Sequence, residues 1–113
     1  MTTSLLDQIE QLCAAEADAD EVLRDVVRVV ADEQGVAFAE IRFVEDEGLV
    51  EGPSAGAPDE ARRHATTIEY RGAPVGELVV DGELEDATAR RIAEAISTYV
   101  LVGWDTGGTA WEP

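Results

Sequence analysis

The segment DEVLRDVVRVVADEQGVAFAEIRFVE, Asp20–Glu45, changes its hydrophobic period part-way along. In its first half Val22, Leu23, Val26, Val27 and Val30 recur at helical spacing, with Asp, Glu and Arg between them. That spacing gathers them into one stripe of a helix. Valine alone favours strands, but the 3.6-residue period outweighs single-residue propensity. Asp20 stands where an N-cap belongs, and Gly35 where a left-handed glycine ends a helix. Beyond Gly35 the period becomes two. Ala37, Ala39, Ile41 and Phe43 point one way; Val36, Phe38, Glu40, Arg42 and Val44 point the other.

The same two periods account for the rest of the chain. Residues 4–16, SLLDQIEQLCAAE, place Leu5, Ile9, Leu12 and Cys13 at helical spacing behind Ser4, a natural N-cap. Asp46–Gly48 suits a hairpin turn into a short strand, LVEG, and the Pro- and Gly-bearing stretch 52–61 suits a loop. HATTIEYR and VGELVVD alternate as strands around a GAP turn. In EDATARRIAEAISTYVLV the stripe is Ala89, Ile92, Ala93, Ile96, Tyr99 and Val100, and Glu85 and Asp86 complement the helix dipole. Gly103 then predicts a left-handed cap, with Trp104 folding back near Tyr99.

The order is therefore α-α-β-β-β-β-α. It predicts an α+β two-layer sandwich: a four- to five-stranded antiparallel sheet with three helices on one face. Residues 1–102 form one domain, and 103–113 a tail bearing both tryptophans.

Charge narrows the function. There are 25 acids against 8 bases, all of them Arg, giving a net charge of −17. Such a surface repels phosphate backbones and anionic lipid, so neither nucleic acid nor a membrane is expected as a partner. Acids without Lys suit a protein adapted to high salt; an Arg-favouring codon usage gives the same composition. No apolar run is long enough to span a bilayer, and MTTSLLDQIEQL lacks the basic start of a signal peptide, so the cytoplasm is the expected location.

Three phrases, in order, resemble the GAF domain family, regulatory modules related to PAS domains. DADEVLRDVVRVVADEQGVAFAEIRFVEDEG looks like the family's second helix and first strand. IEYRGAPVGELVV looks like its late hairpin, with Gly72 in the turn and Gly76, Glu77 and Leu78 in the strand. LEDATARRIAEAISTYV looks like its closing helix. The likeness spans most of residues 5–102. It implies a sheet face, away from the main helices, that floors a ligand pocket. The interval that roofs this pocket in the family shrinks here to about EGPSAGAPDEARR. That puts in doubt the enclosure of cyclic nucleotides, bilins or haem. Some members reduce free methionine sulfoxide with cysteines in and near that region. This chain has only Cys13, in its first helix, where a buried apolar role is expected.

The pocket-floor face would carry Glu40, Arg42, Thr67, Glu69 and Glu77. Charges in that number predict a solvated face with cross-strand Arg–Glu pairs. Arg62, Arg63 and His64 form the densest positive spot and could receive an anion, so these eight residues are the candidate site for a small polar or anionic metabolite. No triad, metal-ligand spacing or phosphate loop is legible; no metal, cofactor or catalytic set is expected, and the chain is read as a non-enzymatic regulatory or protein-interaction module.

The terminal helices hold more apolar residues than one sheet face needs. A homodimer is therefore expected through Leu5, Leu6, Ile9, Leu12, Ile96, Tyr99, Val100 and Trp104, with Trp111 docked in a groove. A protein partner or a small-molecule ligand completes the expected interactions.

Overall fold

A computed structural model describes residues 4–14, 18–45 and 48–110, with 102–110 described by their backbone alone. Helix α1 spans Leu5–Ala14 and α2 Ala19–Ala31. Four strands follow: β1 Val36–Glu45, β2 Gly48–Gly56, β3 Arg63–Tyr70 and β4 Ala73–Gly82, with a 3-10 turn at Glu60–Arg62 between β2 and β3. Helix α3, Asp86–Ala110, closes the chain. All neighbouring strands are antiparallel, in the order β2-β1-β4-β3. This is the α+β sandwich and the element order expected from the sequence.

One face of the sheet makes the core. α2 lies over β1 and β2, α3 lies chiefly over β3, and α1 packs on the two helices. Val22, Leu23, Val26, Val27 and Val30 of α2 are all buried, as the helical period requires. They meet Ala39 and Ile41 of β1, Ile68 of β3, Leu78 and Val80 of β4, and Ile92, Ile96 and Val100 of α3.

The helix ends differ from expectation in three places. Ser4 does cap α1, its hydroxyl accepting the Asp7 N–H at 3.1 Å. In α2 the N-cap position is Asp18, with no side-chain cap bond, and Asp20 lies inside the first turn. There its carboxylate pairs with Arg24 at 2.9 Å, one helical turn on. Gly35 does adopt a left-handed φ of +92°, but α2 has already ended at Ala31. Its carbonyl instead accepts the Glu83 N–H at 2.9 Å, tying the entry of β1 to the exit of β4. Finally, α3 does not stop at Gly103 but runs to Ala110. Each of Gly103, Gly107 and Gly108 costs a helix only about 1 kcal/mol, and the next helix-breaking proline is Pro113. The side chain of Trp104 and all of Trp111 lie outside the described residues.

The first half of the stretch expected as a loop at 52–61 is strand. β2 continues to Gly56, and Gly52 and Pro53 oppose Ile41 where the register slips between Glu40 and Arg42. That is a β-bulge. Proline is tolerated because β2 is an edge strand, where a missing N–H need not break a ladder. A Cβ on Gly52 would come within 2.3 Å of the Phe43 ring and 2.5 Å of the Ile41 carbonyl oxygen, so this close approach requires glycine. Residues 46 and 47 of the expected turn lie outside the described residues.

Candidate functional site

The second face of the sheet is built by three strands in register. Arg63, Asp81 and Phe38 share one row; Ala65, Val79 and Glu40 the next; Thr67, Glu77 and Arg42 the third. Alternation along each strand puts these residues on the side away from the helices.

At the first row the charges are locked. Arg63 donates two hydrogen bonds to Asp81, at 2.8 and 3.0 Å, and its guanidinium lies 5.8 Å from the centroid of the Phe38 ring. Asp81 also accepts the backbone N–H of Asp59 at 2.8 Å. Its carboxylate is fully buried, at 0% exposure. A buried carboxylate must be paired to stay charged, and here it is. The Arg63 hydrogen bonds, aided by the Asp59 N–H, hold its pKa below the ordinary carboxylate value despite the opposing effect of burial. The same hydrogen bonds raise the pKa of Arg63.

In the second and third rows, Glu40 is also buried, at 5% exposure, and accepts a hydrogen bond from Arg42 Nε at 2.8 Å. This pair runs along β1 rather than across strands. Thr67 and Glu69, farther out, are exposed. The face is therefore wet at one end and covered at the other, which corrects the expectation of a wholly solvated surface. The cover is the short segment 57–62. The Ala57 N–H bonds the Ala37 carbonyl at 2.9 Å, Asp59 holds Asp81, and Arg62 reaches the Gly35 carbonyl at 3.1 Å. Arg62 also lies 3.7 Å from both Asp59 and Glu83.

The sequence-derived ligand residues divide accordingly. Glu40, Arg42, Arg63, Thr67 and Glu77 come together on one face. Glu69 lies near the end of β3, opposite Pro74 and past a register slip. His64 sits across from Val80, a core residue, so it has the parity of the opposite face, and it is exposed. Arg62 is off the sheet. The RRH triplet thus splits three ways, because successive strand residues alternate and Arg62 belongs to the preceding turn. Asp81, the central carboxylate, is the residue that sequence reasoning missed; only the β3–β4 register reveals that it opposes Arg63.

The expected assembly residues also divide. Leu5, Ile9, Ile96 and Val100 are buried in the protomer's own core. Leu6, Leu12 and Tyr99 stay half-buried against it. The Tyr99 hydroxyl donates to the Cys13 carbonyl, joining α3 to the end of α1. The Cys13 thiol is half-buried and approaches the Ala95 carbonyl at 3.7 Å; burial, then the Glu10 charge, raises its pKa. Among the described residues no three His, Cys, Asp or Glu side chains are grouped to hold a metal ion, and no helix is long and apolar enough to cross a membrane.

No protein-family model matches the chain, and no curated protein matches it. Solved structures do. The GAF domain of the Acinetobacter phosphoenolpyruvate-protein phosphotransferase superposes with a TM-score of 0.67 at 14% identity, over 96% of this chain and 95% of that one. The free methionine-R-sulfoxide reductase of Neisseria meningitidis, in complex with its substrate, gives 0.68 at 14% identity, over 90% and 89%. The fRMsr of Staphylococcus aureus, also with substrate, gives 0.66 at 15% identity, over 85% and 93%. The fold is GAF-like. This likeness also corrects one expectation. The sequence reads as non-enzymatic, yet enzymes share its fold, so the fold gives no ground for setting catalysis aside.

Proposed function

We propose that the chain is a GAF-like regulatory module that works through contact with protein rather than by enclosing a small ligand. The observation that carries this reading is the locked end of the second sheet face. Arg63 is committed to Asp81 and Arg42 to Glu40, and the 57–62 segment lies on the row where a ligand would otherwise settle. An anion arriving there would have to displace a bidentate carboxylate already in place.

A thermal-shift screen tests the reading. The probes are cyclic nucleotides, small dicarboxylic acids and, because two structural neighbours hold their substrate, free methionine sulfoxide. The expected outcome is a flat melting temperature. A ligand present at 100 times its Kd would stabilise the fold by about 2.7 kcal/mol, a shift easily seen. A saturable rise with any probe would replace this proposal with a metabolite sensor or an enzyme.

Self-assembly through α1 and α3 is a second part of the proposal. The half-buried Leu6, Leu12 and Tyr99 are the surface left for it. Light scattering over a concentration series tests this part, and a monomer throughout would remove it.

A further inference from the structure

The two edges of the sheet are built differently. β2 carries Gly52 and Pro53 in a bulge, features that discourage a further strand. β3 has neither. Its eight residues, RHATTIEY, contain no Pro or Gly, and among the described residues β4 is its one neighbour in the sheet. At about 3.3 Å per residue this edge is about 26 Å long. Alternate residues of an edge strand turn N–H and C=O outward, ready to pair. Within the strand, Arg63 is already held by Asp81, and His64 is exposed.

A groove of about 610 Å³ runs beside this edge, between β3 and the first turns of α3. Thr66, Thr67 and Glu69 line it from the strand, and Asp86, Arg90 and Glu94 from the helix. Glu69, Asp86 and Glu94 are exposed and make no ion pair among the described residues. Three carboxylates face one guanidinium, on a chain whose net charge is −17. A second copy pairing through its own β3 would bring the same acids against each other. A basic segment would meet them favourably.

We infer that the open edge of β3 receives an extended basic peptide segment of a partner protein as a fifth strand. The backbone ladder supplies affinity. Alternate side chains of the incoming strand enter the groove beside α3, where Lys or Arg meets Glu69, Asp86 and Glu94. This inference rests on the protein-contact reading above and gives it a surface and a partner chemistry.

Residue-resolved amide exchange tests it, on the full chain at the lowest KCl that keeps it folded. The probe is a ten-residue peptide of alternating Lys and Val. Two controls place Pro at two adjacent central positions (the Lys–Pro peptide), so that the side facing β3 loses an N–H in either orientation, or replace Lys by Glu. Alternate amides within Arg63–Tyr70 should slow by about tenfold or more with the Lys–Val peptide alone. Glu94→Lys, an exposed helix change, should weaken that protection severalfold. Protection centred on another strand, equal protection by the Lys–Pro peptide, or no protection at all would overturn the inference. So would β3 protection that grows with protein concentration before any peptide is added, since the occupant would then be a second copy. The two readings fail separately. A small ligand that raises the melting temperature and protects the Glu40–Arg63 face removes the functional proposal. A flat ligand screen with unprotected β3 amides removes only the edge.

Discussion

Arg63 holds Asp81 through two hydrogen bonds across β3 and β4, and Asp81 in turn holds the backbone of Asp59. One buried carboxylate therefore fixes both the end of the sheet and the segment that covers it. Asp81→Ala removes this anchor and leaves the guanidinium without its partner. Chemical denaturation should show a loss of about 3 kcal/mol, with faster amide exchange across residues 57–62. An unchanged midpoint would mean that the pair contributes nothing.

The same carboxylate sets a pH dependence. Its pKa is lower in the folded state than the ordinary 3.8. A depressed folded value adds stability that is fully present above the unfolded pKa and disappears as pH falls through the folded one. The advantage of the native chain over Asp81→Asn should be flat above about pH 5 and shrink below it. Denaturation midpoints of both proteins between pH 2 and 7 would reveal this, and a gap that widens on acidification would contradict it.

Gly76 lies under the carbonyl of Arg42. A Cβ there would fall 2.3 Å from that oxygen and 3.0 Å from a methyl of Val100. The oxygen is backbone of β1, the strand paired with β4 here, and cannot yield without shifting that strand. Gly76→Ala should therefore cost about 2 kcal/mol, read as a lowered denaturation midpoint. A neutral substitution would show that the strands separate more easily than this packing implies.

Cys13 should behave as a half-buried, unactivated thiol. Its raised pKa leaves little thiolate near neutral pH. Native protein should react with iodoacetamide at least about tenfold more slowly than protein unfolded in urea. Equal rates would place the thiol in open solvent.

Salt should stabilise the fold. With 25 acids and 8 bases, repulsion within the folded chain is strong at low ionic strength. The screening length falls from about 10 Å at 0.1 M to about 3 Å at 1 M. Thermal melts should rise through this range of KCl; a flat or falling series would show that the carboxylates do not repel one another enough to matter.

Periodicity made the fold legible. The valines of α2 and the alternation of β1 depend on neighbours along the chain, and so do the GAF-like phrases around Gly76 and in α3. What escaped was set by neighbours across it. The second half of β2 reads as a loop because Gly52 and Pro53 suit turns, and only pairing with β1 makes them a bulge. Glu40 reads as a solvated acid because it shares its face with Arg42 two residues on, and nothing local shows that 57–62 lies on that side. Asp81 reads as the end of a strand, since its partner is 18 residues away. Helix α3 passes Gly103, Gly107 and Gly108, because glycine weakens a helix without being an obligatory stop.

The unequal edges limit what this module can build. An added strand on β3 would itself have a free side, but β2 is a poor second docking edge, since the bulge and Pro53 interrupt pairing there. Units that join through one side only cannot chain into fibres. The sheet is thus suited to finite complexes, and its proline-marked margin acts as a terminus against runaway polymerisation.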